Sequence, residues 1–75
     1  MEELVRYIAK SLVDHPELVE VTTVEEDAST IIELRVGPDD MGKVIGKQGR
    51  IAKAIRTVVR AASARDEKPV YVEIL

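Results

Sequence analysis

The chain contains no cysteine, tryptophan or phenylalanine, and only two tyrosines and one histidine. Without cysteine there is no disulfide framework, no thiolate zinc site and no thiol nucleophile, which fits a reducing compartment. With so few aromatic side chains, platforms for stacking flat rings are not expected. No apolar run approaches the roughly 20 residues needed to span a bilayer. The acidic start Met1-Glu2-Glu3 lacks the basic stretch that opens a signal peptide, so a cytoplasmic location is expected. What is present is an ordinary globular composition, 45% hydrophobic and 33% charged over 75 residues. That length allows one domain, 1–75, with a thin core, because so small a domain buries only about 60% of the surface its unfolded chain exposes.

The formal net charge of −3 argues against a polyanionic partner until its distribution is considered. Between Met41 and Arg65 lie Lys43, Lys47, Arg50, Lys53, Arg56, Arg60 and Arg65, with no acidic residue among them, so that this stretch carries +7. The other four basic and fourteen acidic residues give the remainder −10. A ligand docked on the cationic stretch responds mainly to charges within a Debye length, about 8 Å at physiological salt. A solvated helix face with clustered cations is the bland alternative.

Leu4, Val5, Ile8, Ala9 and Leu12 recur at helical spacing, which predicts a helix over 2–14 that Pro16 stops. Val19, Val21 and Thr23 alternate with polar residues and predict a strand over 18–25. A polar turn at 26–29 leads to a second strand over 30–36 with Ile32, Leu34 and Val36 on one face, and the two strands are expected to form a hairpin. Gly37-Pro38 breaks that strand, and Asp39 is positioned to cap a short helix ending near Ile45, with Gly46 closing it in a left-handed conformation. A longer helix is predicted over 49–64, with Ile51, Ala52, Ala54, Ile55, Val58, Val59, Ala61 and Ala62 as a broad apolar face. Arg50, Lys53, Arg56 and Arg60 lie away from that face. Val70, Val72 and Ile74 then alternate as a last strand. The order α-β-β-α-α-β implies an α+β fold, a three-stranded sheet with helices packed on one face.

The informative stretch is Lys43-Val44-Ile45-Gly46-Lys47-Gln48-Gly49-Arg50, a glycine-bounded loop between two helices. Glycine at positions 46 and 49 allows positive φ and removes side chains that would keep a sugar-phosphate chain at a distance. Gly49 opens the long helix, whose free N–H groups and positive dipole end favour a phosphate. Lys43, Lys47 and Arg50 add charge, and Ile45 offers an aliphatic surface to bases.

These residues resemble the signature of KH domains, in which a GXXG loop joins two helices, and the element order resembles the type II form. The phrase Gly42-Lys43-Val44-Ile45-Gly46-Lys47-Gln48-Gly49-Arg50, together with Ala54-Ile55-Arg56-Thr57-Val58-Val59, is similar to the small bacterial KhpA family over nearly the whole chain. The resemblance implies a single-stranded RNA-binding protein, an RNA chaperone or post-transcriptional regulator, with a footprint of about four nucleotides. It implies that Gly46, Lys47, Gln48 and Gly49 touch the RNA backbone. Val44, Ile45 and the helix carrying Arg50, Lys53 and Arg56 would then wall a base groove closed by the last strand. Three positions after Gly49, where many KH domains carry a larger aliphatic residue, stands Ala52. The implied partners are a KhpB-type KH protein, a second copy of the chain, or both.

Other patterns point to no enzyme, cofactor, metal, membrane or small-molecule substrate. Gly37-Pro38-Asp39-Asp40-Met41-Gly42-Lys43 imitates a phosphate-binding Walker loop, but Val44 replaces the Mg²⁺-binding hydroxyl and the two aspartates repel phosphate. His15, the only histidine, sits at a helix end beside Pro16 as a solvated residue rather than a base with a partner. Glu25-Glu26-Asp27 lacks the spaced oxygens of a calcium cage, and Tyr7 and Tyr71 read as core or rim residues. Two rival functions remain at this level. One is a DNA-reading helix-turn-helix. The other is a protein-interaction module that pairs through the apolar helix face or a sheet edge.

Overall fold

The computed structural model describes residues 1–75. The N-terminal periodicity becomes helix α1, Glu2–Leu12. A 3-10 turn at Pro16–Leu18 follows, because the proline ring cannot continue the helix but fits the first position of a new turn. It shortens the first strand from the expected 18–25 to β1, Glu20–Glu25, which pairs antiparallel with β2, Thr30–Arg35, in the expected hairpin. A second 3-10 turn, Pro38–Asp40, leads into α2, Met41–Ile45. The third, Lys47–Gly49, leads into α3, Arg50–Ala62. Strand β3, Val70–Ile74, lies parallel to β2, so the sheet order is β1-β2-β3.

Sheet register explains why one face is covered. Val21, Leu34 and Ile74 form one row across the strands, and Thr23, Ile32 and Val72 form the next. These rows meet Val5 and Ala9 of α1 and Ile55 and Val59 of α3 in one apolar cluster that includes the fully buried Leu34. The opposite face is free of helices. It carries the rows Thr22, Glu33 and Glu73, and Val24, Ile31 and Tyr71, together with the Glu20 and Arg35 pair. Glu2 accepts a hydrogen bond from the Thr23 hydroxyl and thereby ties α1 to β1.

Two expectations need correction. Asp39 does not cap α2: it is exposed, and no side chain caps that helix. Its neighbour Asp40 points inward instead. The apolar face of α3 is only partly used: Ala52, Ile55 and Val59 are buried, whereas Ala54, Val58, Ala61 and Ala62 remain exposed. A three-stranded sheet is too narrow to cover more than one stripe of a helix whose residues advance by about 100° each.

Candidate nucleic-acid interface

Helix α2 is anchored at its start. Asp40 is only 1% exposed, and its carboxylate accepts the backbone N–H groups of Asp14 at 3.1 Å and His15 at 3.0 Å. Those donors belong to the residues just beyond the C-terminal end of α1, where the chain has left the helix and its N–H groups no longer bond back to it. Lys43 Nζ lies 3.0 Å from Asp14 and 3.7 Å from Asp40, closing a small network. Burial would raise the Asp40 carboxyl, but the two N–H donors and the charges of His15 and Lys43 outweigh it and hold it below its ordinary value. The hydrogen bond and charge of Asp14 push the Lys43 ammonium upward. Lys43, expected to serve the loop as a free cation, is therefore already paired.

The other end of α2 runs into the glycine turn. Gly46 N–H donates to Gly42 O at 2.8 Å, ending the helix, and Gly49 N–H donates to Gly46 O at 3.1 Å. Gly46 has φ +77° and ψ 171°, a region open essentially to glycine alone and different from the left-handed helical conformation expected. A Cβ there would come within 2.6 Å of Ile51 Cγ1, so packing as well as φ requires glycine. Gly49 is left-handed at φ +74° and ψ 16°, and a Cβ on it would meet nothing within 4 Å. The turn is open on that side. Between the glycines, Gln48 also adopts a left-handed conformation, with φ 59° and ψ 23°, and its amide oxygen accepts from Arg50 at 3.2 Å.

The predicted site residues separate into those that reach solvent and those that do not. Lys47, Gln48, Arg50, Lys53 and Arg56 are exposed, and Ile45 is partly so at 37%. Gly46 and Gly49 are half-buried. Val44 is fully buried and has no surface to offer a ligand, so it serves the packing of α2 instead of walling a groove. Of the seven cations between Met41 and Arg65, only Lys43 forms an ion pair; Lys47, Arg50, Lys53, Arg56, Arg60 and Arg65 have no carboxylate partner. At about 100° per residue, Arg50, Lys53, Arg56 and Arg60 share one flank of α3, and Ala54, Val58 and Ala61 share the other. No side chain caps the first turn of α3, next to the loop. Sequence reasoning missed Asp40, whose only trace was an acidic residue in a Pro-Asp-Asp turn.

A glycine turn joining two helices, set on a mixed three-stranded sheet in the order α-β-β-α-α-β, defines a KH domain of type II. The family model described as "KhpA/KhpB, KH domain" matches residues 2–74. The chain is 65% identical over its full length to the RNA-binding protein KhpA of Clostridium perfringens, which it also covers completely. It is 61% identical to the KhpA of Caldanaerobacter subterraneus, with both chains covered completely. Identity to the KhpA of Listeria monocytogenes is 55%, covering all of this chain and 99% of that one. The chain belongs to the KhpA/KhpB family of KH domains. Among solved structures it is similar to a variant of Aquifex aeolicus Era bound to GDP.AlF4-, with a TM-score of 0.67 and 25% identity; the match covers 97% of this chain and 28% of that one.

The helix-turn-helix reading does not survive this geometry, because α2 has only five residues and sits between strands and a glycine turn.

Proposed function

We propose that the chain is a binding module for single-stranded RNA that grips the backbone with Gly46, Lys47, Gln48 and Gly49. The reading rests on one observation above all: an open glycine turn stands at the uncapped start of α3, beside a helix flank of cations that no carboxylate neutralises. Bare backbone admits a sugar-phosphate chain, and the N–H groups and positive end of α3 favour its phosphates. Lys47, Arg50, Lys53 and Arg56 supply the remaining charge, and Ile45 a small apolar surface. Relatives 65% and 61% identical over the full length are named RNA-binding proteins. A role as RNA chaperone or post-transcriptional regulator in the cytoplasm, without catalysis, goes with such a ligand.

The test is Lys47→Asp combined with Gln48→Asp, which places two carboxylates where the phosphate would lie. Aspartate tolerates the left-handed backbone at position 48. Fluorescence anisotropy with a short single-stranded RNA at low salt is expected to show binding lost, with the circular dichroism spectrum and melting temperature unchanged. Retained affinity would reject the assignment of the loop.

A second reading, compatible with the first, concerns partners. Ala54, Val58 and Ala61 leave an apolar stripe in solvent, with Val58 45% exposed. A KhpB-type KH protein or a second copy would cover it; the family description groups the KH domains of KhpA and KhpB together. Joining two weak four-nucleotide sites would raise avidity without any new contact. Val58→Asp is expected to reduce the assembly seen by sedimentation; an unchanged assembly would place the interface elsewhere.

A further inference from the structure

Arg56 differs from the other cations on its flank. β3 is an edge strand, and its parallel ladder takes Thr30 N–H to Pro69 O and Leu75 N–H to Leu34 O. By the alternation of a strand, the backbone groups of Val70, Val72 and Ile74 therefore face the open edge. One of these groups is occupied: Arg56 Nε donates to Val72 O at 3.3 Å. The guanidinium bridges α3 and β3 and walls a recess of about 90 Å³ lined by Arg56, Arg60, Val70, Tyr71 and Val72. No carboxylate pairs with either arginine. The recess thus holds two guanidinium groups without carboxylate partners, and Nε of Arg56 engages the Val72 carbonyl at its strand edge.

We propose that Arg56 is a specificity-determining residue of the RNA groove, and that the recess selects guanine over adenine. Only Nε is committed to Val72, so the terminal nitrogens of the fork remain available to a base. Guanine presents O6 and N7, two acceptors that a guanidinium matches in a bidentate contact. Adenine presents N7 beside an N6 amino donor, which opposes the donors of the fork. Arg56 stands seven residues beyond Gly49, about 10 Å along the helix, close enough to the loop to serve the same bound strand. The inference rests on the RNA-binding reading and deepens it.

The test compares the affinity of the full chain for the octamers (GU)4 and (AU)4 at one salt concentration, for the wild type, Arg56→Lys and Arg56→Ala. The wild type is expected to favour (GU)4 by about tenfold, the scale of one good base contact. Arg56→Lys, which keeps the charge but not the fork, should lose most of that ratio. Arg56→Ala, which frees the Val72 carbonyl, should move it toward (AU)4. Equal wild-type affinities, or a preference for (GU)4 that survives in Arg56→Ala, would overturn the inference and leave RNA binding intact. Binding to neither octamer would instead overturn the RNA-binding reading, and the inference with it.

Discussion

At its start α2 is tied down by a buried carboxylate; at its other end it enters a turn whose hydrogen bonds are backbone bonds and the contact between Gln48 and Arg50. Asp40 joins the exit of α1 to the entry of α2, and Lys43 is spent on the same network. The turn from Gly46 to Gly49 keeps its lysine unpaired and its outer side at Gly49 clear. A five-residue helix has little stability of its own. Fixing one end lets the other present a bare, charged turn. The same logic separates the two lysines of the motif: Lys43 serves the fold, and Lys47 remains for the ligand.

The strongest way to break this arrangement is Gly46→Ala. Its methyl would press on Ile51 at 2.6 Å, in a backbone conformation that alanine rarely adopts. Strain and overpacking together are expected to cost about 3 kcal/mol in chemical denaturation and to displace the loop enough to abolish RNA binding. Asp40→Ala comes next, because it leaves the Asp14 and His15 N–H groups without their acceptor; a fall of about 10 °C in melting temperature is expected. Asp40 also sets a pH dependence with a definite sign. Its folded pKa lies below the ordinary 3.8, so its contribution is present above that value and lost as pH falls through the folded value. Asp40→Asn should therefore show a shallower loss of stability in acid than the wild type.

Smaller changes sharpen the contrast between the glycines. Gly49→Ala meets no neighbouring atom and suffers only from φ +74°, so a cost of about 1 kcal/mol is expected, well short of that at Gly46. Gln48→Gly relieves the left-handed backbone at φ 59°. It should change stability by less than about 1 kcal/mol, because the strain removed is offset by the greater freedom of glycine in the unfolded chain.

The elements were legible because each follows a local rule. Leu4 to Leu12 keep the helical period, Ile32 and Leu34 keep the strand period, and Pro16 and Gly37-Pro38 punctuate both. The GXXG turn and the cations after it were legible for a similar reason, being contiguous in sequence. What could not be read depends on contacts between distant residues. Asp40 meets backbone donors 25 and 26 positions away, so nothing local distinguishes it from Asp39, which looked the better cap. Lys43 and Lys47 are equal in sequence until Asp14 folds against one of them. Val44 resembles Ile45 in character, yet helix phase turns one fully inward and leaves the other 37% exposed. The breadth of the apolar face on α3 likewise said nothing about how little sheet there was to cover it.

Unpaired charge beside the glycine turn is most directly tested by the salt dependence of RNA affinity. For the wild type, the logarithm of the binding constant should fall linearly with the logarithm of salt concentration, with a slope of about −0.7 for each phosphate neutralised. Lys47→Ala should make that slope shallower by about 0.7, whereas Lys43→Ala, which removes a cation already paired, should barely move it. A salt-independent complex, or equal changes for the two lysines, would contradict this account.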